Sequence, residues 1–326
     1  MLRILLTGAS GLLGQHVLQS LTNEGHRVVA TYRNQFPKFF TSFREDLVEW
    51  VPCDICDITS LLPVMKHFDV IIHAAAMVSY DPRDEDALML NNIEGTANVV
   101  NACLHAGIQK LIFISSIASI GKAGRGQTSD ELTPYDEKEQ SSNYGRSKFL
   151  AEMEVWRGQA EGLNVLILNP GIILGEGDEQ RSSSNLFKIV AGGFPFYTKG
   201  STAWVDVKDI TRVILCFLNR EEGWNQRYIL ISENRTFKDV FTQMAVEMGV
   251  KPPHIFAGPW LTAIVWRLSY FKTLLFGGQA TITKETAHSA QSNAGFDNSK
   301  ILCTLPGFQF NPISDTIRRV ARWRKQ

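Results

Sequence analysis

A tyrosine and a lysine four positions apart are the side chains in this sequence best placed to do chemistry. Tyr144 and Lys148 lie in a stretch over 142–161 whose alanine, glutamate, methionine and leucine content favours a helix. Residues four apart lie on one face of a helix, so the phenol and the ammonium would project together. Free tyrosine titrates at about 10, and a nearby lysine favours the phenolate and brings that pKa towards neutrality. The pair therefore predicts a proton-exchanging tyrosine, downstream of a strand that ends in Ser115-Ser116.

A glycine-rich run near the beginning of the chain predicts a phosphate-binding turn. Thr7-Gly8-Ala9-Ser10-Gly11-Leu12-Leu13-Gly14 follows a short apolar run and opens a stretch of helical length. Glycines there allow a tight turn and let the backbone approach a pyrophosphate, which the unpaired amides of the helix then bind. We expect the turn to bind a dinucleotide through Gly8, Ser10, Gly11, Leu12, Leu13 and Gly14.

The end of the second strand bears on which dinucleotide is bound. NAD enzymes usually place an acidic residue there to hold the ribose hydroxyls, whereas an arginine accommodates a 2′-phosphate. Arg33 takes that place, no acid does, and Lys38 and Arg44 follow. An arginine at a strand end is also commonly solvated surface. We predict NADP as the cofactor, with Arg33 and Lys38 near its phosphate, and NAD as the alternative.

The elements that position these residues alternate along the first half of the chain, which predicts βαβ units and a parallel sheet. Helices are expected over 12–23, 84–106 and 142–161. Strands are expected over 3–6, 27–31, 47–52, 70–73, 110–114 and 164–168. The predicted fold class is α/β, a Rossmann-type doubly wound parallel sheet with a smaller C-terminal substrate-binding lobe.

The alternation ends after Pro170, where loops lengthen and glycines and aromatic residues cluster. We predict a dinucleotide-binding Rossmann domain over 1–170 and mainly a substrate-binding lobe over 171–326. Strands near Val205 and over 228–231 are expected to complete the sheet, so that about 203–232 returns to the Rossmann domain.

Charge balance, cysteines and hydropathy narrow the possible partners. Lysine plus arginine equals aspartate plus glutamate at 33 each, so no net field recruits nucleic acid. The five cysteines do not resemble a disulfide framework, and the Cys53/Cys56 pair lacks a second pair for a metal site. The apolar segment 260–276 contains Arg267 and Lys272 and is shorter than the about 20 residues of a membrane span, so stable membrane insertion is not expected. No charged leader with an apolar segment precedes the first strand, which predicts a cytoplasmic protein.

Further motifs make the sequence similar to the extended short-chain dehydrogenases/reductases. Besides the glycine run and Tyr144/Lys148, they are Asp54-Ile55, His73-Ala74-Ala75-Ala76, Asn92-Ile93-Glu94-Gly95-Thr96, Phe113-Ile114-Ser115-Ser116 and Val205-Asp206-Val207-Lys208-Asp209. The resemblance implies that Ser116 hydrogen-bonds the substrate oxygen and that Tyr144 exchanges its proton. It implies that Lys148 binds the nicotinamide ribose and that Asn92 supports the proton path. Alternatively, Ser116 ends a strand and Asn92 bonds neighbouring backbone. The cofactor contacts implied are Asp54, Ile55, Ala74, Ala75, Ala76, Ser115, Tyr144, Lys148, Pro170, Gly171, Ile172 and Ile173.

Two positions favour the carbonyl-reductase branch of that family, which includes dihydroflavonol and cinnamoyl-CoA reductases. Nucleotide-sugar epimerases and dehydratases typically carry arginines where this chain has Thr202 and Asn169. The run Phe296-Asp297-Asn298-Ser299-Lys300 also resembles that branch and the 3β-hydroxysteroid dehydrogenases. Aromatic residues in the C-terminal lobe favour an apolar substrate. They are Phe194, Phe196, Tyr197, Trp204, Trp260, Trp266, Tyr270 and Phe271.

The predicted function is an NADP(H)-dependent oxidoreductase acting on a small-molecule ketone, aldehyde or secondary alcohol. One alternative is a nucleotide-sugar epimerase or dehydratase that uses bound NAD. The other is a non-catalytic NADP-sensing protein, against which Ser116, Tyr144 and Lys148 argue because a regulator does not need a tuned phenol. By family habit, the helices over 84–106 and 142–161 would form a homodimer.

Overall fold

The computed structural model describes residues 1–34, 36–39, 41–124, 126–137, 142–179, 182–276 and 283–325, with the side chains of 182 and 268–276 left out. In chain order the strands are β1 (Arg3–Thr7), β2 (Arg27–Tyr32), β3 (Val48–Pro52), β4 (Val70–His73), β5 (Lys110–Ile114), β6 (Thr128–Ser129), β7 (Asn164–Pro170), β8 (Ile172–Leu174), β9 (Phe196–Tyr197), β10 (Ser201–Asp206), β11 (Gln226–Leu230), β12 (Glu233–Thr236), β13 (Ile255–Phe256) and β14 (Gly295–Phe296). The α-helices are α1 (Leu12–Asn23), α2 (Ile58–Leu61), α3 (Glu85–Met89), α4 (Gly95–His105), α5 (Asn143–Ala160), α6 (Asn185–Ala191), α7 (Val207–Leu218), α8 (Phe237–Met248), α9 (Pro259–Phe276), α10 (Lys284–Ser289), α11 (Ser299–Thr304) and α12 (Ile313–Trp323).

A seven-stranded parallel sheet forms the centre, in the order β11-β7-β5-β4-β1-β2-β3. Side chains alternate between its faces. In β1, Ile4 and Leu6 pack in the core with α1 and α7, whereas Leu5 packs in the core with α4 and α5. Helices therefore cover both faces, which confirms the predicted Rossmann-type sheet.

The strand that contains Val205 departs from the prediction. β10 lies outside the main sheet and pairs with β8 in parallel and with β12 in antiparallel. The last hydrogen bond of the β7–β11 pairing runs from the Gly171 N–H to the Leu230 carbonyl oxygen at 3.0 Å, and the chain then enters β8. A Cβ at Gly171 would lie 2.6 Å from the Ala203 carbonyl oxygen, so the chain runs close beside β10 there, with which β8 then pairs. Of the segment 203–232, β11 joins the main sheet and α7 packs beside α1.

The helix predicted over 84–106 is interrupted by a π turn, Leu90–Glu94, between α3 and α4. Such a turn inserts one extra residue and is frequent at functional sites. Gly95 follows it, and a Cβ there would lie 2.7 Å from the Ile55 side chain. The turn thus lets the helix approach the chain that follows β3.

The second sheet, β12-β10-β8, packs against three helices of the C-terminal half, α6, α8 and α12. Trp204 of β10 is fully buried in a third core formed with residues of α6, α8 and α12. Among the described residues, no helix has the length and hydropathy that a membrane crossing requires.

Candidate active site

The carboxyl ends of β1, β4 and β5 bring the predicted site residues to one edge of the main sheet. Thr7 and His73 are register partners, as are His73 and Phe113. The glycine-rich turn follows β1, Ala74 follows β4, and Ser115 follows β5. Ligands of open parallel sheets bind at this edge.

The glycine-rich turn packs more closely than any side chain would permit. Gly8 has a φ of +72°, and a Cβ there would lie 2.5 Å from the Ala74 carbonyl carbon and from the Ala75 nitrogen. A Cβ on Gly14 would overlap the Gly8 carbonyl oxygen. Gly11 begins α1 without a side-chain hydrogen bond to the first amides, and the first turn holds no acid. The turn therefore fits the pyrophosphate of a dinucleotide, to which helix amides donate. The other predicted contacts of the turn are Ser10, Leu12 and Leu13.

Arg33 and the turn after β3 meet at one side chain. Arg33 Nη1 donates to Asn91 Oδ1 at 2.8 Å, and Cys56 Sγ lies 3.8 Å from the same oxygen. Asp54 Oδ1 accepts from the Cys56 N–H at 3.0 Å, and Asn98 Nδ2 donates to the Ile55 carbonyl oxygen at 3.0 Å. Arg33 and the turn that contains Asp54 and Ile55 therefore lie close together beyond the ends of β2 and β3.

Lys38 lies elsewhere, with its backbone held on α1. Gln15 Nε2 donates to the Lys38 carbonyl oxygen at 2.8 Å. The Lys38 side chain is exposed. Lys38 and Arg33 are thus held by different parts of the chain, the Lys38 backbone by α1 and the Arg33 side chain by Asn91.

Ser116, Tyr144 and Lys148 converge at the end of β5. Tyr144 is 9% exposed, and its phenol is hydrogen-bonded with the Ser116 side chain. Lys148 is 2% exposed, and its Nζ donates to the Ile114 carbonyl oxygen at 2.8 Å. The same Nζ lies 4.4 Å from the centre of the Phe113 ring. Helix α5 places the phenol and the ammonium on one face, as their spacing predicts.

The protonation of this pair differs from the expectation. Burial raises the pKa of the Tyr144 phenol, and the hydrogen bond with Ser116 lowers it by less. The pKa of Lys148 is lowered to about 7, because burial lowers it by more than the nearby Glu152 carboxylate raises it. The predicted lowering of the Tyr144 pKa by Lys148 is therefore wrong in this structure, because desolvation of the phenol is the largest effect and the opposing one comes from Ser116. A lysine with this pKa is also only partly charged at neutral pH.

Asn92 sits in the π turn, and its amide is fully engaged. Its Oδ1 accepts from the Met77 N–H at 2.8 Å, and its Nδ2 donates to the Met77 carbonyl oxygen at 3.0 Å. The same Nδ2 donates to Ser147 Oγ at 2.8 Å, one residue before Lys148. Asn92 thus ties the chain after β4 to α5, in line with the alternative in which it bonds neighbouring backbone. Its part in a proton path stays a prediction.

Glu152 is a site residue that the motifs did not single out. It is fully buried, and its Oε1 accepts from Ser115 Oγ at 2.5 Å, from Ser119 Oγ at 2.5 Å and from Asn169 Nδ2 at 2.6 Å. The Ser119 hydroxyl oxygen also lies 2.6 Å from the Ser116 carbonyl oxygen, so its one proton is shared between that oxygen and Glu152, and Asn169 Nδ2 donates to the same carbonyl oxygen at 3.1 Å. Glu152 therefore holds the turn that carries Ser116, and the Ser115 hydroxyl is engaged within the protein. The signal was available, since Glu152 follows Lys148 by four residues.

The remaining predicted cofactor contacts lie in backbone at the ends of β4 and β7. The Ala74 N–H donates to the Thr7 carbonyl oxygen at 3.2 Å, and the Ala75 N–H donates to Thr7 Oγ1 at 3.3 Å. Both bonds fix the strand end that faces the glycine turn. The others are Ala76 after β4, Pro170 at the end of β7, Gly171, and Ile172 and Ile173 in β8.

The lobe aromatics do not share one environment. Trp204 is core, 5.6 Å from the Phe237 ring, and Trp260 is 85% exposed. The side chains of Tyr270 and Phe271 lie outside the described residues. An aromatic contact that the motifs missed is Tyr80, whose ring lies 5.7 Å from that of Tyr144 in an edge-on arrangement.

The arrangement of glycine turn, serine, tyrosine and lysine agrees with comparison to known proteins. The model of the NAD-dependent epimerase/dehydratase family matches residues 4–231. The chain belongs to that family. It is thus an NAD(P)-dependent enzyme of the extended short-chain dehydrogenase/reductase type, which confirms the resemblance.

Individual relatives of this epimerase/dehydratase family member fall in two groups. Cinnamoyl-CoA reductase 1 of Oryza sativa subsp. japonica is 26% identical, over 70% of each chain. UDP-glucose 4-epimerase of Vibrio cholerae is 27% identical, again over 70% of each chain. The crystal structure of gox2253 is 30% identical, with a TM-score of 0.81 over 99% of this chain and 98% of that one. The reductase and the epimerase match equally well, so similarity does not choose between them.

We expect Gly8→Ala to weaken cofactor binding by about tenfold or more, because the added Cβ must displace the backbone that faces the pyrophosphate. Gly25→Ala is a matched control, since Gly25 has a φ of +80° and open space around its Cβ position. That control should lose about 1–2 kcal/mol of stability from the left-handed backbone and keep its cofactor affinity. Fluorescence titration with NADPH and urea unfolding measure the two effects. Equal loss of affinity in both variants would contradict the assignment of the turn.

We expect the free energy of unfolding to rise with pH between about 7 and 10.5 by an amount that Lys148→Met removes. The folded-state pKa of Lys148 is about 7, against an ordinary value of 10.5. In that window the unfolded chain binds the proton and the folded chain does not, so stability is lost as pH falls. Across this pH window, the unfolding free energy of the wild type should rise by about 3–5 kcal/mol more than that of the variant. Urea unfolding at pH 7, 8.5 and 10 checks this, and parallel pH profiles would contradict it.

Proposed function

We propose that this enzyme is an NADP(H)-dependent reductase of a ketone or aldehyde, or the corresponding dehydrogenase of a secondary alcohol. The observation that carries the proposal is the convergence of Ser116, Tyr144 and Lys148 beside the glycine turn. A hydroxyl, a phenol and an ammonium at the carboxyl edge of a parallel sheet suit proton exchange with an oxygen whose carbon exchanges hydride.

Reduction requires a hydride at the carbonyl carbon and a proton at its oxygen. Hydride comes from the reduced nicotinamide when the cofactor is bound. Ser116 and Tyr144 would donate hydrogen bonds to the substrate oxygen, and Tyr144 would release its proton to that oxygen. Its raised pKa keeps the phenol protonated at neutral pH, as a proton donor must be. The Lys148 ammonium would then stabilise the phenolate left behind.

The geometry of the serine depends on residues that touch no substrate. Ser119 and Asn169 hold the Ser116 carbonyl oxygen, and both donate to Glu152. Asn92 plays the corresponding part for α5 by bonding Ser147. We assign these residues to positioning, and Ser116, Tyr144 and Lys148 to catalysis.

The preference for NADP rests on Arg33. Its guanidinium lies just after β2 and donates to Asn91, which Cys56 of the turn after β3 also contacts. An arginine there can bind a 2′-phosphate through two parallel hydrogen bonds. An acid near this region is Glu94, whose charge helps to raise the pKa of Cys56. Glu94 belongs to the π turn, however, and the residues at the end of β2 include no acid that would hold the ribose hydroxyls of NAD.

A second candidate, a nucleotide-sugar epimerase, is favoured by one observation. The register of β10 and β12 sets Arg235 directly opposite Thr202, so a guanidinium lies beside the position where the sequence lacks an arginine. Its Nη1 donates to Gln243 Oε1 at 2.9 Å, and its Nε lies 3.8 Å from Glu233 Oε2. Because these partners engage the guanidinium on α8 and β12, we prefer the reductase.

We expect Tyr144→Phe to lower turnover of a reducible carbonyl substrate by about 10²–10⁴ while NADPH affinity stays nearly unchanged. The phenol acts on the substrate, so cofactor binding should not need it. Lys148→Ala should lose both turnover and cofactor affinity. A panel of hydrophobic aldehydes and cyclic ketones, followed by NADPH absorbance, provides the measurement. Near wild-type turnover by Tyr144→Phe would exclude the mechanism.

We expect Arg33→Asp to reverse the cofactor preference, since a carboxylate repels the 2′-phosphate and accepts from the ribose hydroxyls of NADH. The wild type should bind NADPH about ten- to a hundredfold more tightly, with the preference weakening at high salt. Arg44→Asp is the control, because Arg44 is an exposed arginine of the following segment, 2.8 Å from Asp46. Fluorescence titrations of both reduced cofactors test this. Equal affinities in the wild type would defeat the NADP assignment.

We expect UDP-glucose to bind too weakly for calorimetric detection at micromolar concentrations, because Arg235 is engaged and Thr202 carries no charge. NADPH binding to the same sample serves as the positive control. Micromolar UDP-glucose binding that Arg235→Gln abolishes would establish the epimerase candidate instead.

A further inference from the structure

The chain from β13 to the first turns of α9 exposes four large apolar side chains within ten residues. Ile255 is 40% exposed, Phe256 43%, Trp260 85% and Ile264 46%. We call these four residues the Trp260 patch. Trp260, Ile264 and Arg267 recur at helical spacing on the outward face of α9. A surface helix ordinarily turns polar residues outward, so an apolar outer face indicates a surface that binds a partner.

Basic side chains border the Trp260 patch. Lys199 Nζ lies 5.0 Å from the centre of the Phe256 ring. Lys238 Nζ lies 4.6 Å from the Tyr197 ring, which is 5.7 Å from the ring of Phe256. Lys251, four residues before the patch, is exposed as well. The acid beside Lys238 is the exposed Asp239.

The sequence shows the same bias over a longer stretch. Residues 248–284 contain no aspartate or glutamate, whereas their lysines and arginines are Lys251, Arg267, Lys272 and Lys284. The whole chain has equal numbers of acidic and basic residues, at 33 each. This stretch is therefore a local concentration of positive charge together with exposed aromatic surface.

The combination selects one occupant. Tryptophan beside lysine and arginine is typical of segments that lie in the interface of a bilayer, with the apolar groups among the headgroups and the cations on anionic lipid. A second copy fits less well, because a two-fold contact through this patch would bring its lysines against their own copies.

We propose that the Trp260 patch docks this enzyme peripherally on an anionic lipid bilayer. The docking is independent of the redox chemistry proposed above, since no patch residue belongs to that site.

The test is co-sedimentation of the full chain with phosphatidylcholine vesicles and with vesicles that contain phosphatidylglycerol. The double variant Trp260→Ser/Ile264→Ser removes the apolar contact, and Lys199→Glu/Lys251→Glu reverses the charge. Leu132→Ser is the matched control, because Leu132 is also 85% exposed and lies in the loop after β6. Far-UV circular dichroism and urea unfolding of every variant confirm that each one is folded.

The wild type and Leu132→Ser should bind the anionic vesicles at low salt and the neutral vesicles far more weakly. Either double variant should lower the partition coefficient by about tenfold or more, and salt should lower it further. Three results would overturn the proposal: no binding of the wild type to anionic vesicles, equal loss in Leu132→Ser, or a wild-type dimer that Trp260→Ser/Ile264→Ser dissociates. The last result would assign the patch to a second copy of the chain.

Discussion

Two ionisable side chains of α5, Lys148 and Glu152, are buried one helical turn apart, and the candidate site is arranged around them. Removing an ion from water costs several kcal/mol, which hydrogen bonds must offset. Glu152 receives three donors from three segments of the chain, and Lys148 donates to the end of β5 while lying over the Phe113 ring. Neither group could keep these hydrogen bonds if the segments moved apart. The ends of β5 and β7 and the serine turn are thereby locked to the helix that carries Tyr144.

The same burial sets the chemical character of the site. Desolvation disfavours the charged form of each group, so it pushes the pKa of Tyr144 up and that of Lys148 down. The phenol therefore stays protonated at neutral pH, which is the form that the proposed reduction requires. A site open to water would hold the two pKa values near their ordinary values of 10.0 and 10.5, which lie close together.

Identity of the reaction depends on residues outside this shared centre. The cinnamoyl-CoA reductase and the UDP-glucose 4-epimerase compared above match the chain equally well, so similarity does not identify the reaction. Our choice between the two reactions rests on Arg33 and Arg235. Arg33 lies after β2, where we propose that the dinucleotide binds, and Arg235 lies opposite Thr202 in the pairing of β10 with β12. Each guanidinium already has hydrogen-bond partners within the protein. Its contribution to the binding free energy of a ligand is therefore the gain from the new hydrogen bonds minus the loss of the existing ones.

Local periodicity was enough to predict much of this molecule. The bounds of α1, β4 and β5 agree residue for residue with the predicted ones, and the four-residue spacing put Tyr144 and Lys148 on one helix face. Such features depend on neighbours along the chain, whose effect the sequence displays directly. Tertiary structure decided the rest. The place of β10 in a second sheet, the three donors to Glu152, the pairing of Thr202 with Arg235 and the direction of the Tyr144 pKa all depend on burial and on partners far away in the sequence. Spacing along a chain carries no record of either, because hydrogen-bond partners and desolvation are set by which distant segments the folded core brings together.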